Sequence, residues 1–372
     1  MAIRALFVFG TRPEAIKLAP LILEMKKHRA LQPVVCITAQ HREMLDQVLR
    51  LFDIVPDRDL NLMQPGQSLE DILVGVCRDL PPVLREVRPD LLLVQGDTTT
   101  SFAAAKVAFC QKIPVGHVEA GLRTFRKYAP FPEEVNRRLT SVLADWHFAP
   151  TEANRDNLLR EGIPAEKIFV TGNTVIDALL QVAGRPYRFE DPALVDLPGR
   201  LILVTAHRRE SFGEPFRQLC AGLAALAERY PNDTILYPVH LNPNVQQPVR
   251  EILCGRSNVR LVEPMSYEPF VHLLKRAYLA LTDSGGIQEE APGLGVPVLV
   301  MRETTERPEG VTAGTVKLVG TSAERIVAEA SRLLDDPAAY RAMAQAKNPY
   351  GDGHASERIC EIIEREMRQS AE

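Results

Sequence analysis

Long hydrophobic runs, paired cysteines and blocks of charge are all scarce in this 372-residue sequence. No stretch of about 18 uncharged apolar residues occurs, so the sequence predicts no membrane-spanning helix. The six cysteines are scattered without a Cys-x-x-Cys pair, which favours reduced thiols in a cytoplasmic protein over metal ligands or disulfides. The net charge of -4 includes no basic block, so no nucleic-acid partner is expected.

Several motifs of well-known enzyme classes are also missing from the sequence. Without a Walker loop or a complete Gly-x-Gly-x-x-Gly after the first strand, a P-loop enzyme or a nicotinamide dehydrogenase is disfavoured. Without a Gly-x-Ser-x-Gly elbow, a serine hydrolase is disfavoured as well. The N-terminal apolar run is short and no small-residue cleavage site follows it, so it predicts a first β-strand and not a signal peptide.

What the sequence does contain is a regular alternation of strand-like apolar runs and amphipathic helical stretches, which is typical of parallel α/β sheets. The predicted strands are residues 5–9, 33–38, 91–94, 115–118, 168–170, 201–205, 234–238, 259–262, 277–281 and 296–301. Residues 179–200 interrupt the pattern with three prolines and a charged cluster, and predict an interdomain linker.

The chain is too long for one ordinary core, so we expect an α/β fold of two Rossmann-like domains that face a cleft. Residues 1–180 form the first predicted domain and residues 181–354 the second. A predicted C-terminal helix within residues 355–372 could pack back on the first domain. Ligands of open α/β sheets bind beyond the carboxyl ends of the strands, so candidate functional residues are those that follow strands.

The segment Thr282-Asp-Ser-Gly-Gly-Ile-Gln-Glu-Glu-Ala291 is the most informative part of the sequence. A strand that ends in Ser-Gly-Gly and opens a helix presents free backbone N–H groups and a positive helix end, which together seat a phosphate. A carboxylate about one helical turn further on can accept hydrogen bonds from a ribose. The segment therefore predicts a nucleoside diphosphate site.

Basic residues after the first predicted strand are weaker evidence. In Phe9-Gly-Thr-Arg-Pro-Glu14, Arg12 would stand near a helix N-terminus with Lys17, where both could bind an anion. A plain strand–helix turn with solvated charges explains the segment equally well.

Carboxylates follow two further strands of the first half. Asp97 precedes a run of four hydroxyl residues, a pattern that ordinary helix capping also explains. Glu119 directly follows a buried strand, a position that is hard to justify structurally unless Arg123 pairs with it. Of two carboxylates before the next helix, the helix dipole accounts for Glu134 and leaves Glu133 open. His117 we interpret as a core histidine.

Cationic residues gather in the second half of the chain. His207 stands beside two arginines in Thr205-Ala-His-Arg-Arg-Glu-Ser-Phe-Gly213, and Arg307 follows the last predicted strand. Two arginines with a histidine at a strand end favour an anionic ligand such as a diphosphate. Acids in the first half would move protons, and cations in the second half would stabilise a leaving diphosphate.

These motifs resemble those of the non-hydrolysing UDP-N-acetylglucosamine 2-epimerases, in order from residue 3 to about 360. The matching motifs are Gly10-Thr-Arg-Pro-Glu14, Gln95-Gly-Asp-Thr98, His117-Val-Glu-Ala-Gly-Leu-Arg-Thr124, Pro132-Glu-Glu134, Thr205-Ala-His-Arg-Arg-Glu210, Pro238-Val-His-Leu-Asn-Pro243, Thr282-Asp-Ser-Gly-Gly-Ile-Gln-Glu-Glu290 and Thr304-Thr-Glu-Arg-Pro-Glu309.

The resemblance implies a glycosyltransferase-B type fold and interconversion of UDP-GlcNAc and UDP-ManNAc. It implies anti elimination of UDP, a 2-acetamidoglucal intermediate and re-addition of UDP, with neither a cofactor nor a metal. It further implies a homodimer that supplies ManNAc-type precursors for cell-surface polysaccharide.

The resemblance also implies roles for individual residues, with the assignment of each carboxylate to a face of C2 left open. The residues that match the catalytic set are Asp97, Glu119, Glu133 and His207. Those that match the substrate-binding set are Arg12, Lys17, Phe270, Ser284, Gly285, Gly286, Glu290 and Arg307.

A second, allosteric UDP-GlcNAc site is implied by the resemblance to the bacterial members. The residues that match it are Gln40, His41, Glu133, Arg208 and His240. Two positions depart from the family pattern: Glu43 stands where a glutamine is usual, and Gly66 where an arginine contacts the effector. A carboxylate near a diphosphate repels it, and the missing arginine removes about 1.5–3 kcal/mol of charge-assisted hydrogen bonding. We therefore expect weakened or altered activation by substrate.

Three other functions compete with the epimerase. A hydrolysing epimerase would release free ManNAc, and a glycosyltransferase of the same fold would pass the sugar to an acceptor. A non-catalytic sugar-nucleotide sensor would keep the second-half binding segment but would need no acids in the first half. The joint presence of Asp97, Glu119, Glu133 and His207 argues against the sensor.

Overall fold

The computed structural model describes residues 2–39, 42–64 and 66–369. The chain divides into two compact units: Met1–Ala178 with Tyr350–Glu372, hereafter unit 1, and Leu179–Pro349, hereafter unit 2. Each unit is built on one parallel sheet with helices between the strands, which confirms the predicted α/β class. In the described part of the chain, no helix combines the length and apolar character needed to cross a membrane.

Unit 1 holds a seven-stranded sheet. Its strands are β1 (Ile3–Phe9), β2 (Leu31–Ile37), β3 (Arg58–Asp59), β4 (Leu91–Gln95), β5 (Val115–Val118), β6 (Trp146–Ala149) and β7 (Ile168–Val170). Its helices are α1 (Arg12–Met25), α2 (Arg42–Leu51), α3 (Leu69–Val87), α4 (Thr99–Cys110), α5 (Glu133–Leu143), α6 (Glu152–Arg160) and α7 (Thr174–Ala183), which runs into unit 2.

The order of the strands in this sheet is β3-β2-β1-β4-β5-β6-β7. The central strands are apolar and buried on both faces, as helices on both sides of a parallel sheet require. Because β1, β4 and β5 are neighbours and parallel, the turns after them emerge side by side. This topology gathers the polar residues after Phe9, Gln95 and Val118 at one edge of unit 1.

Unit 2 holds a six-stranded sheet in the order β10-β9-β8-β11-β12-β13. Its strands are β8 (Leu201–Thr205), β9 (Thr234–Pro238), β10 (Val259–Val262), β11 (Ala277–Thr282), β12 (Val298–Val300) and β13 (Val316–Leu318). Its helices are α8 (Pro192–Val195), α9 (Glu214–Arg229), α10 (Pro243–Leu253), α11 (Tyr267–Arg276), α12 (Gly285–Gly293), α13 (Pro308–Ala313), α14 (Ala323–Asp335) and α15 (Pro337–Ala344). The pairing of Thr205 with Thr282 places the loops after β8 and β11 next to each other.

The last helix, α16 (Ala355–Gln369), belongs to unit 1 and packs against α1. Nδ1 of His28, which follows α1, lies 2.7 Å from Oε1 of Glu364 in α16. The buried carboxylate of Asp177 accepts hydrogen bonds from the first backbone N–H groups of α16, 2.7 Å from the nitrogen of Ser356. These contacts place the C-terminal helix on the first sheet's helical layer.

Residues 179–200, predicted as a linker, are partly regular and attached to unit 2. The first five residues continue α7, and α8 follows. The ammonium of Lys275 donates to the Ala183 carbonyl at 2.7 Å, and the guanidinium of Arg276 donates to the Leu194 carbonyl at 2.8 Å. The proline-rich segment is therefore held to unit 2 by hydrogen bonds from the side chains of Lys275 and Arg276.

Candidate active site

Glu119 occupies a strained and crowded position at the end of β5. Its φ of 63° is left-handed, a conformation that costs a non-glycine residue free energy and often marks functional sites. Nζ of Lys17 lies 2.6 and 2.7 Å from the two carboxylate oxygens, and Asn173 Nδ2 donates to Oε1 at 3.0 Å. The amide of Gln95 donates to Oε2. The carboxylate is therefore held in a fixed orientation.

Two basic residues bear on this position. Lys17 lies with its ammonium against Glu119, and its predicted role as a diphosphate ligand stays a prediction. Arg123, considered as the partner of Glu119, instead pairs with Glu161 at 2.7 Å. Gln95 and Asn173 were missed, since a single amide at a strand or loop end carries no recognisable pattern.

Glu14 is a second buried carboxylate, and its role was not predicted from the sequence. Its Oε2 accepts hydrogen bonds from the backbone N–H groups of Gly10 and Thr11 at 3.1 and 2.8 Å. The hydroxyls of Thr98 and Ser101 lie 2.7 and 2.9 Å from Oε1. Glu14 thereby ties the turn after β1 to the turn after β4. The pattern Thr11-x-x-Glu14 is a capping box, a signal that could have found it.

Asp97 is paired with a buried arginine from α5. The guanidinium of Arg137 donates to Oδ2 of Asp97, and Nδ2 of Asn136 donates to the backbone carbonyl of Asp97 at 3.1 Å. Arg137 also lies 3.5 Å from Glu134, whose oxygens accept the N–H groups of residues 124 and 125. Glu134 therefore orders the preceding loop in addition to its helix-dipole role, and Arg137 joins Asp97 and Glu134.

Glu133, at the first position of α5, differs from the other two acids. Its Oε2 is buried, and among the described residues that oxygen has no hydrogen-bond partner. A buried carboxylate oxygen without a donor is costly unless a proton or a ligand hydroxyl satisfies it. Glu133 is therefore suited to accept or carry a proton.

His117 is confirmed as a core histidine. It is fully buried in β5, and Nε2 lies 2.7 Å from the Gly96 carbonyl. Burial lowers the pKa of His117 to about 3, so the ring is neutral. It supports the β4–β5 edge on which Glu119 stands.

In unit 2, His207 follows β8 and is anchored through its backbone. The buried carboxylate of Asp283, just after β11, accepts the N–H groups of His207 and Arg208 at 2.6 and 2.7 Å. The His207 ring is stacked on that of His240, with centroids 5.3 Å apart and planes 12° apart. Burial lowers the pKa of His207, the charge of Asp283 raises it, and His240 and Arg208 lower it further.

A buried arginine joins two loops that carry cationic residues. Nε of Arg302 donates to Glu210 at 2.6 Å, and its Nη1 donates to Glu306 at 2.8 Å. Burial by itself would raise the pKa of Glu306, but the hydrogen bonds and charge of Arg302 outweigh it and hold the value at about 2. Arg302 thus positions the loop that leads to Arg307 beside the loop that begins with Arg208.

The predicted phosphate seat has the expected local geometry. Ser284 is the N-cap of α12, and a Cβ built on Gly285 would lie 3.4 Å from Cζ of Arg307, so the arginine covers the helix N-terminus. Nε of Arg307 donates to Glu289 at 2.6 Å, which fixes the guanidinium there. The N–H groups at a helix N-terminus and a nearby guanidinium are groups that can bind an anion.

The proposed ribose carboxylate is oriented by a tyrosine. The hydroxyl of Tyr267 donates to Oε1 of Glu290 at 2.8 Å. A Cβ built on Gly286 would lie 3.7 Å from Oε2 of Glu290, which is an ordinary contact distance. Phe270 is partly buried one turn along the same helix as Tyr267. Tyr267 was missed because a tyrosine at a helix start is ordinary.

The structure describes only some of the residues matched to the allosteric site. Gln40 and His41 lie outside the described residues. Glu43 is exposed in the first turn of α2. Gly66 has a φ of 71°, and a Cβ at this position would have no neighbour within 4 Å among the described residues.

Comparison with known proteins assigns a family to this arrangement. The family model described as UDP-N-acetylglucosamine 2-epimerase matches residues 23–364. A UDP-N-acetylglucosamine 2-epimerase of Salmonella typhimurium is 58% identical over 368 residues, covering 97% of this chain and 98% of the relative.

Two solved structures are similar over nearly the whole chain. The structure of a putative epimerase from Listeria monocytogenes has a TM-score of 0.93 at 49% identity, covering 99% of this chain and 98% of the other. The Neisseria meningitidis UDP-GlcNAc 2-epimerase, described as bound to UDP-GlcNAc, has a TM-score of 0.87 at 52% identity, covering 98% and 100%.

Proposed function

We propose that this chain, which belongs to the UDP-N-acetylglucosamine 2-epimerase family and inverts C2 of UDP-N-acetylglucosamine, works by eliminating UDP and adding it back. The observation that supports this mechanism most strongly is the division of labour between the units. Unit 1 gathers carboxylates that are fixed by buried partners, and unit 2 gathers an anion seat. An epimerase that releases and recaptures UDP needs both.

The proposed chemistry takes place at C1 and C2 of the sugar. A carboxylate removes the C2 proton, the C2–H electron pair becomes the C1=C2 double bond, and the C1–O pair leaves with a β-phosphate oxygen of UDP. In the return step a proton is delivered to the opposite face of C2 and a terminal β-phosphate oxygen of UDP bonds to C1. The C2 hydrogen is poorly acidic, so a positioned base is needed.

The surroundings of the acids suggest how they divide the proton transfers. Glu119 and Asp97 are each paired with a cation, Lys17 and Arg137 respectively. Glu133 has the buried oxygen that lacks a donor in the described structure and is suited to carry a proton. We propose that Glu133 exchanges a proton on one face and that one of the two paired carboxylates serves the other.

In unit 2, the proposed role of the anion seat is to hold UDP through both steps. Ser284, Gly285, Gly286 and Arg307 receive the diphosphate, Glu290 the ribose, and Phe270 lies by the uracil. His207 adds a donor for the charge that develops as the C1–O bond breaks. Arg12, in unit 1, keeps the diphosphate role that the family resemblance implies. A retained diphosphate can return to the opposite epimer without escaping to water.

Incubation with UDP-GlcNAc in deuterated water, followed by ¹H NMR, tests the proposed function. We expect UDP-ManNAc with deuterium at C2, and deuterium at C2 of the recovered UDP-GlcNAc. Free ManNAc would indicate a hydrolysing epimerase, transfer to an acceptor a glycosyltransferase, and absence of both exchange and product a sensor.

The proposal includes weakened activation by UDP-GlcNAc, because Glu43 adds a negative charge and Gly66 supplies no guanidinium. Initial rates in the UDP-ManNAc direction, with and without trace UDP-GlcNAc, test it. We expect turnover without the trace nucleotide, and Glu43→Gln should increase the stimulation. Strict dependence of the unaltered protein on UDP-GlcNAc would contradict this proposal.

A homodimer is also part of the proposal, and one face of unit 1 is suited to it. Helices α3, α4 and α5 pack side by side, and their outer surface exposes apolar residues. These are Val74, Phe109, Leu139 and Val142, exposed by 61%, 56%, 42% and 76%. Exposed apolar patches of this kind mark interaction sites, and a second copy of the chain can cover its own patch by two-fold symmetry.

The proposal also includes a cytoplasmic location for the protein. The unpaired cysteines support it, because disulfides are rare in the reducing cytoplasm.

A further inference from the structure

Among the described residues, only one of the two carboxylate oxygens of Asp283 accepts hydrogen bonds. Its Oδ2 accepts two backbone N–H groups from the loop after β8. Its Oδ1 is buried and, within the described ranges, makes no hydrogen bond. The nearest ionisable donor is Nδ1 of His207, 3.6 Å away, just beyond hydrogen-bond distance. A small movement of the ring would close that gap and remove the cost of an unsatisfied buried carboxylate oxygen.

The orientation of the His207 ring makes this contact informative. The ring is stacked on His240, so its plane is defined, and one nitrogen faces Asp283. The other nitrogen, Nε2, lies on the opposite edge of the ring. The imidazolium is the only state of histidine in which both nitrogens donate hydrogen bonds.

We propose that Asp283 is the positioning residue of His207: in the substrate complex its Oδ1 accepts the Nδ1–H of an imidazolium, whose Nε2–H donates to the departing diphosphate. This inference rests on the proposed function, because it requires His207 to act at the diphosphate. It gives the Asp in Thr282-Asp-Ser-Gly-Gly286 a role separate from the phosphate seat that follows it.

The charges that face His207 agree with this arrangement. Burial, His240 and Arg208 lower the pKa of His207 below its usual 6.5, and Asp283 opposes them. A bound diphosphate adds negative charge at the Nε2 side, so the two anions together favour the imidazolium. In Asp283→Asn the amide oxygen can still accept the two backbone N–H groups, while the charge that favours the imidazolium is gone.

The test is a double-mutant cycle on kcat with Asp283→Asn and His207→Asn, together with the pH dependence of kcat. Asp283→Asn should lower kcat about 10- to 100-fold, the range for losing a charge-assisted hydrogen bond, with little change in the Kd of UDP. It should have little further effect in the His207→Asn background. The fall of kcat with rising pH should shift to lower pH, because removing Asp283 lowers the pKa of His207.

Asp177→Asn is the matched control, because Asp177 is also a buried carboxylate that accepts two backbone N–H groups. Its effect on kcat should be additive with that of His207→Asn. Additive losses for Asp283→Asn, or an unmoved pH limb, would overturn the inference while leaving the proposed function intact. Failure of the proposed function would instead appear as absent C2 exchange in the unaltered protein.

A second measurement needs no change at Asp283. In ¹⁵N-histidine spectra of the protein saturated with UDP, the His207 resonance is the one missing from His207→Asn. We expect its pKa above 6.5, with Nδ1 protonated. A His207 ring that is already neutral at pH 6.5, with its proton on Nε2, would overturn the inference.

Discussion

At the residue scale, the partner of each charge decides what that charge can do. Glu119 and Glu133 are both carboxylates of unit 1, but Lys17 and two amides hold Glu119, whereas the buried oxygen of Glu133 has no donor in the described structure. Residue type alone therefore does not distinguish a fixed anion from a group suited to carry a proton.

Lys17→Met should separate the role implied by the resemblance from the contact seen in the structure. Because the ammonium pairs with Glu119, its loss should lower the rate of C2 exchange by roughly 10-fold or more and leave the Kd of UDP nearly unchanged. Calorimetry with UDP and deuterium exchange measure the two effects. Arg12→Met is the matched control and should weaken UDP binding. A large loss of UDP affinity in Lys17→Met would restore the diphosphate role.

His207→Asn should lower kcat far more than the affinity for UDP. Its donor acts on charge that develops as UDP departs, so we expect a loss of about 10²-fold in kcat, as for a removed oxyanion donor. Steady-state kinetics and UDP calorimetry provide the comparison. A fully active variant would remove His207 from the mechanism.

At the element scale, tight turns set where the acids stand. Gly121, two residues after Glu119, has a φ of 91°, and a Cβ there would lie 2.2 Å from the Asn154 carbonyl oxygen in α6. The turn after β5 therefore lies in direct contact with the first turn of α6. No side chain fits at this position without moving one of the two elements.

Gly121→Ala should destabilise the protein by more than about 3 kcal/mol, because backbone strain and a steric clash add. Gly162→Ala is the matched control: its φ is 86°, but nothing lies within 4 Å of its Cβ position. It should cost only about 1 kcal/mol, since strain acts alone. Urea denaturation measures both values, and equal costs would contradict the proposed close approach.

The sequence was informative about elements with regular patterns and about motifs in which several residues act together. The central strands and the Ser-Gly-Gly turn of α12 were predicted from such patterns. β3, with two residues, is too short to give a pattern, and β6 and β13, with four and three residues, were also missed. The Lys17–Glu119 pair joins residues 102 positions apart, which no local pattern can predict.

At the scale of the whole molecule, the proposed function draws on groups from both units, and the proposed homodimer needs a surface on which two copies can associate. The apolar face on α3, α4 and α5 has no counterpart in the catalytic chemistry. It is therefore better explained by association than by substrate binding.

Val142→Glu should convert the proposed homodimer to a monomer, because a charge buried in an apolar interface has no partner there. Light scattering after size-exclusion chromatography measures the mass. Val55→Glu is the matched control, since Val55 is 84% exposed and lies outside α3, α4 and α5. A dimer that persists in Val142→Glu would exclude this face.

The central claim is that UDP leaves C1 and returns while a carboxylate exchanges the C2 proton. UDP-GlcNAc with ¹⁸O in the bridge between C1 and the β-phosphorus tests it most directly, by ³¹P NMR of the recovered substrate and its epimer. If UDP departs, its terminal phosphate oxygens become equivalent and the ¹⁸O spreads to non-bridging positions as epimerisation proceeds. Epimerisation with all of the ¹⁸O still in the bridge would contradict the account.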